Sequence, residues 1–127
     1  MANRRNGNRR AAVDGEWTHE ILRDGDKTIV RLAGDLDFAT VAEVMPVLEE
    51  ACARNPAQLV LDLSRVEFLD SSGISLLVTV HKRLTAGGCN LVVTNPSAAV
   101  SRVLELTSTD RVLSITHTSP SSILVRG

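Results

Sequence analysis

The strongest hydrophobic pattern lies mid-chain. Leu59-Val60-Leu61-Asp62-Leu63 is a branched apolar run with one acid, which predicts a strand buried on both faces. A short connection leads to Asp70-Ser71-Ser72-Gly73. Beyond it, Ile74, Leu77, Val78 and Leu84 recur at helical spacing. This predicts a helix from about Ser71 to Ala86, stopped by Gly87-Gly88. Leu76 and Val80 stand one turn apart on a different side of that helix, either as further core or as an apolar contact for a partner.

The flanking segments repeat the alternation. Trp17 to Arg23 and Lys27 to Ala33 are β-prone runs separated by Asp24-Gly25-Asp26, a hairpin signal. Gly34-Asp35-Leu36-Asp37 reads as a turn out of the second run. Thr40 and Glu43 have the spacing of a capping box, and Val41, Val44, Met45, Leu48 and Cys52 form one helical stripe after it. Pro46 lies inside this stripe and should kink the helix or delay its regular part. Asn55-Pro56 ends the segment.

Cys89 to Thr94 predicts another strand, and Asn95-Pro96 suits an N-cap followed by proline at the first helical position. Val100, Val103 and Leu104 supply the next buried face. Thr107 to Asp110 is a polar turn, Val112 to Thr116 a last strand, and Ser119-Pro120 opens a final turn of helix through Leu124. A hairpin followed by alternating helices and strands predicts a single α/β domain with a largely parallel or mixed sheet. Its expected span is residues 16–127, preceded by a disordered basic tail at residues 1–15.

Charge sharpens that boundary. Arg4, Arg5, Arg9 and Arg10 supply four of the 14 basic residues, so the rest of the chain carries 10 against 15 acids, or −5. An acidic body with 2% aromatic content offers little to stack bases on, so no direct nucleic-acid partner is expected. The apolar runs are too short to cross a bilayer, and no signal peptide opens the chain. Cys52 and Cys89 sit in apolar segments without metal-like spacing, which reads as free thiols in a reducing, cytoplasmic setting.

Candidate chemistry concentrates at the strand–helix corner. The phosphate-binding glycine loops, the Gly-x-Ser-x-Gly elbow and the His-Glu-x-x-His motif are all missing, and His19, His81 and His117 are scattered. Ser71 as a nucleophile would need a histidine base, and only Asp37 and Asp70 are at hand. An enzyme is therefore not expected, and no cofactor or metal is called for. Two readings remain for Ser71 and Ser72: helix caps, or a serine offered to another protein's active site. Phosphorylation of Ser71 would add about −1.5 to −2 charge beside Asp37 and Asp70.

Gly34-Asp35-Leu36-Asp37, the Leu59–Leu63 strand and Phe68-Leu69-Asp70-Ser71-Ser72-Gly73-Ile74 closely resemble the STAS domain of bacterial anti-sigma factor antagonists. The resemblance runs from about Trp17 to Ile115. It implies a mixed sheet of four or five strands with flanking helices. It further implies binding to an anti-sigma factor that is also a serine kinase, which frees a sigma factor. The kinase would phosphorylate Ser71 and so end binding; a serine phosphatase would reset it. Asp37 and Asp70 would frame the phosphosite, with Ser72, Gly73, Ile74 and Leu76 on the partner-reading surface. The alternative within the same family is a docking subunit of a stressosome-like or lipid-transport assembly. The chain departs from the family pattern in three respects: its Arg-rich start, its short final helix, and Ser108 where many members carry glycine after the threonine.

Overall fold

The computed structural model describes residues 17–117. Strand β1 (Trp17–Asp24) and strand β2 (Lys27–Leu36) pair antiparallel through a two-residue loop, with Asp24 opposite Lys27. Gly25 takes φ 61°, the conformation a tight hairpin of this length demands at its first loop position. Helix α1 (Val41–Ala51), strand β3 (Gln58–Leu69), helix α2 (Ser71–Ala86), strand β4 (Asn90–Thr94), helix α3 (Ala98–Leu106), a short 3₁₀ turn (Thr109–Arg111) and strand β5 (Ser114–Thr116) follow. The sheet order is β1-β2-β3-β4-β5, with every pair after the hairpin parallel. The expected mixed α/β sheet is thus observed, with five strands.

Each crossover steps one strand in the same direction. Right-handed connections then put all three helices on one face. Burial agrees. Leu59, Leu61 and Leu63 of β3, Val44 and Leu48 of α1, Leu77 of α2, and Val100 and Leu104 of α3 belong to one core cluster, each essentially inaccessible. The other face carries Glu20, Arg31 and Asp62 in register across β1, β2 and β3. Arg31 lies 3.6 Å from each carboxylate; the pair with exposed Glu20 contributes little stability, while Asp62 is half-buried.

The structure corrects several sequence expectations. β2 runs on to Leu36, so Gly34-Asp35-Leu36 is strand and not turn. β3 has no short connection before Asp70; it extends for 12 residues to Leu69. Two register shifts against β2, between Arg31 and Ala33 and between Gly34 and Asp35, each add a residue to β3. Its buried positions therefore change from every second residue (59, 61, 63) to every third (66, 69), leaving Ser64-Arg65 and Glu67-Phe68 exposed.

The capping box at Thr40 and Glu43 is not formed. Glu43 instead accepts a hydrogen bond from Trp17 Nε1 at 2.7 Å, tying α1 to β1. Asn95 does not cap α3: it takes φ 49°, and Ser97 caps, accepting from the Val100 N–H at 3.2 Å and donating to the Val66 carbonyl at 2.6 Å. Pro46 is exposed within a continuous α1. The last strand is shorter than expected, since Val112 lies outside it. Cys52 and Cys89 are free; burial raises both thiols, and with the charge of the neighbouring Cys89 pushes Cys52 up to about 11. The basic tail and the final helical turn expected after Ser119 fall outside the described residues.

Ser108 closes α3 with φ 60°. A non-glycine residue there costs about 1–2 kcal/mol from Cβ crowding. Ser108→Gly is expected to raise stability by roughly 0.5–1 kcal/mol after the glycine's larger unfolded-state entropy is offset. Urea titration of the two proteins measures this directly.

Candidate functional site

The corner forms where β2 and β3 end side by side. Leu36 pairs with Leu69, and the Asp70 N–H donates to the Leu36 carbonyl at 3.3 Å. Past this point each chain turns into a helix. On the β2 side, Asp37 Oδ1 accepts from the N–H groups of Ala39 at 3.0 Å and Thr40 at 3.1 Å, fixing the turn that leads into α1. Thr40 is buried; its hydroxyl donates to the Asp35 carbonyl at 2.7 Å and accepts from the Asp37 N–H at 3.0 Å. The sequence marks Thr40 as a helix cap, whereas its role is to lock this turn.

On the β3 side, Asp70 is the N-cap of α2. Its Oδ1 accepts from Ser72 N–H at 2.8 Å and Gly73 N–H at 3.1 Å. The second oxygen, Oδ2, accepts from the Phe38 N–H at 3.2 Å, so one carboxylate joins both turns. With Asp70 in this position, neither serine is the cap. Ser71 occupies the first helical position, exposed, and its hydroxyl has no hydrogen-bond partner among the described residues. Ser72 is half-buried at the next position.

The remaining predicted residues divide between surface and interior. Gly73 is buried: a Cβ there would stand 2.5 Å from the Leu36 carbonyl oxygen and press on Leu69 Cδ1. Leu76 is 4% exposed and Val80 5%, so the second apolar side of α2 is core, while Ile74 and Val78 are only partly covered. The expected buried face is thus rotated by part of a turn. Leu76 still borders an open groove of about 500 Å³ between α1 and α2, with Phe38, Val41, Met45 and Ser72 around it. The histidines stay apart. His19 stacks on Trp17 with centroids 5.3 Å apart, His81 is half-buried on α2, and His117 is exposed.

Sequence reasoning missed two aromatic residues here. Phe38 is 83% exposed and Phe68 50%. They are the only phenylalanines in the chain, and each lies within three residues of Asp37 or Asp70. That rarity was the available signal. The acids around them interact: burial, then the charges of Asp37 and Glu67, raise the Asp35 carboxyl above its ordinary value.

Two outcomes follow. Gly73→Ala should lower stability by about 1–2 kcal/mol in thermal or urea unfolding, because the clash with backbone outweighs the roughly 1 kcal/mol helix-propensity gain. Asp35→Asn should stabilise at neutral pH. The charged form is disfavoured in the folded state, so this gain shrinks as pH falls through the raised folded pKa and vanishes below the unfolded value of about 3.9. Urea midpoints at pH 7 and pH 3.5 compare the two.

The family model for the STAS domain matches residues 19–122. An anti-sigma F factor antagonist of Paenibacillus polymyxa is 31% identical over 88 residues, spanning 68% of this chain and 75% of that protein. Among solved structures, an anti-sigma factor antagonist from Mycobacterium paratuberculosis superposes with TM-score 0.76 at 23% identity, covering 91% of this chain and 97% of the other. The Bacillus cell fate determinant SpoIIAA in its phosphorylated form does so with TM-score 0.64 at 19% identity, covering 86% and 98%. The fold, the Asp70-Ser71-Ser72-Gly73 corner and these matches lead to one statement of kinship: this chain belongs to the STAS domain family, alongside relatives named anti-sigma factor antagonists.

Proposed function

We propose that this protein is an anti-sigma factor antagonist switched by phosphorylation of Ser71. In its unmodified form it binds an anti-sigma factor serine kinase and thereby releases a sigma factor. Transfer of a phosphoryl group to Ser71 ends that binding, and a serine phosphatase restores it. The observation that carries this reading is the unpartnered, exposed Ser71 hydroxyl at the first position of α2, beside a carboxylate that already serves as the cap. A serine needed for capping would be committed to the backbone; this one is free to enter another active site. The names of the relatives, and the phosphorylated form in which one structural neighbour was solved, support the same reading.

The electrostatics explain why such a modification would act as a switch. The phosphate would bring about −1.5 to −2 charge to the corner. The helix N-terminus tolerates this charge within the protein. A partner shaped around a neutral hydroxyl between two carboxylates would instead meet a dense anionic cluster. Charge changes of this kind at an interface cost several kcal/mol, or orders of magnitude in affinity.

Incubation with candidate anti-sigma factor kinases and ATP should add one phosphate, located on Ser71 by fragmentation after intact-mass measurement. Ser71→Ala should keep wild-type affinity for the kinase within about threefold, while Ser71→Asp should lose at least about tenfold. Equal binding by the two variants in calorimetry would remove the switch.

A further inference from the structure

We infer that Phe38 is the apolar anchor through which the kinase grips the Ser71 corner, entering a pocket on the kinase that is apolar inside and rimmed by arginine or lysine. This rests on the anti-sigma antagonist reading and names the partner chemistry that the same site selects. The chain has three aromatic side chains. Trp17 is buried, whereas both phenylalanines are displayed at one corner, Phe38 at 83% exposure and Phe68 at 50%. Neither supports the core. An exposed phenylalanine leaves a large apolar area in water, which association with a partner would remove. Buried aromatic anchors carry a disproportionate share of binding energy at protein interfaces.

The turn that carries Phe38 is held rigid before any partner arrives. The Phe38 N–H is tied to Asp70 Oδ2, and the adjacent N–H groups of Ala39 and Thr40 to Asp37 Oδ1. The backbone therefore has little freedom left to lose on binding, which favours affinity. Phe38 also borders the groove whose walls are Val41, Met45 and Leu76, so an apolar partner surface would continue past the ring. Charge sets the rim. Asp35, Asp37, Glu67 and Asp70 cluster at these strand ends, and no Lys or Arg lies between Asp35 and Asp37 or between Glu67 and Asp70. A cationic rim complements that surface and steers approach.

The test compares full-length wild type, Phe38→Ala, Phe38→Leu and Ser71→Asp for binding to the anti-sigma factor serine kinase that wild type binds, at about 50 and 300 mM salt. Phe38→Ala should weaken binding at least about tenfold with an unchanged melting temperature, Phe38→Leu should recover most of the loss, and higher salt should weaken wild type. Phe38→Ala binding within about twofold of wild type, while Ser71→Asp still fails, overturns the anchor and leaves the functional reading standing. If wild type binds no such kinase, both fall. A Phe38→Ala effect confined to self-association assigns the groove to a second copy and likewise overturns the inference.

Discussion

The corner of this molecule depends on how one carboxylate is divided. Asp70 gives one oxygen to the amides that begin α2 and the other to the Phe38 amide on the neighbouring turn. Without it, the two turns that leave the sheet at adjacent strand ends would lose the side chain that hydrogen-bonds to both. With it, the exposed hydroxyl of Ser71 and the exposed ring of Phe38 are referred to the same point. Gly73 makes the arrangement possible from below. Its missing side chain lets α2 start directly against the Leu36 carbonyl, so the helix leaves the sheet at once.

The same economy explains why Ser71 is available. A helix start presents more unpaired amides than a single side chain satisfies, and two adjacent serines would ordinarily be recruited to them. Here Asp70 takes the Ser72 and Gly73 amides, and Thr40 with Asp37 closes the opposite turn. The serine hydroxyl is left over by the arithmetic of donors and acceptors. The acids Asp35, Asp37, Glu67 and Asp70 surround that neutral hydroxyl with carboxylates.

Much of this was legible in the sequence because its parts obey single periodicities. The Asp24-Gly25-Asp26 hairpin, the Leu59–Leu63 strand and the stripe of α1 each follow one rule over their whole length. The failures share a cause, which is that two rules meet. β3 changes from alternate to every-third burial where it bulges against β2, so Ser64 to Phe68 looks like a loop although it is strand. On α2, Leu76 and Val80 lie on a different side from Ile74 and Val78, and the buried face falls between the two apolar stripes. Thr40 and Glu43 had capping spacing, yet the Trp17 indole and the Asp35 carbonyl, both distant in sequence or conformationally unforeseen, claimed those side chains instead. At the corner, the placement of Asp37, Asp70 and Ser71 beside two strand ends could be read from residue type and position. The exposure of Phe38 runs against hydrophobicity, which alone assigns a phenylalanine to the interior, and the rarity of phenylalanine is the one pointer to it.

The bulged end of β3 has a consequence for how such a domain can change over evolutionary time. By turning Glu67 and Phe68 outward together while Val66 and Leu69 stay inward, it separates the residues open to solvent from those that hold the fold. Phe38 is insulated in the same way by a turn whose fixings are Asp37, Thr40 and Asp70. A lineage could therefore change the exposed positions 38, 67 and 68 while leaving the core untouched. Duplicate copies could drift toward separate partners in small, individually tolerable steps, each remaining a folded protein throughout.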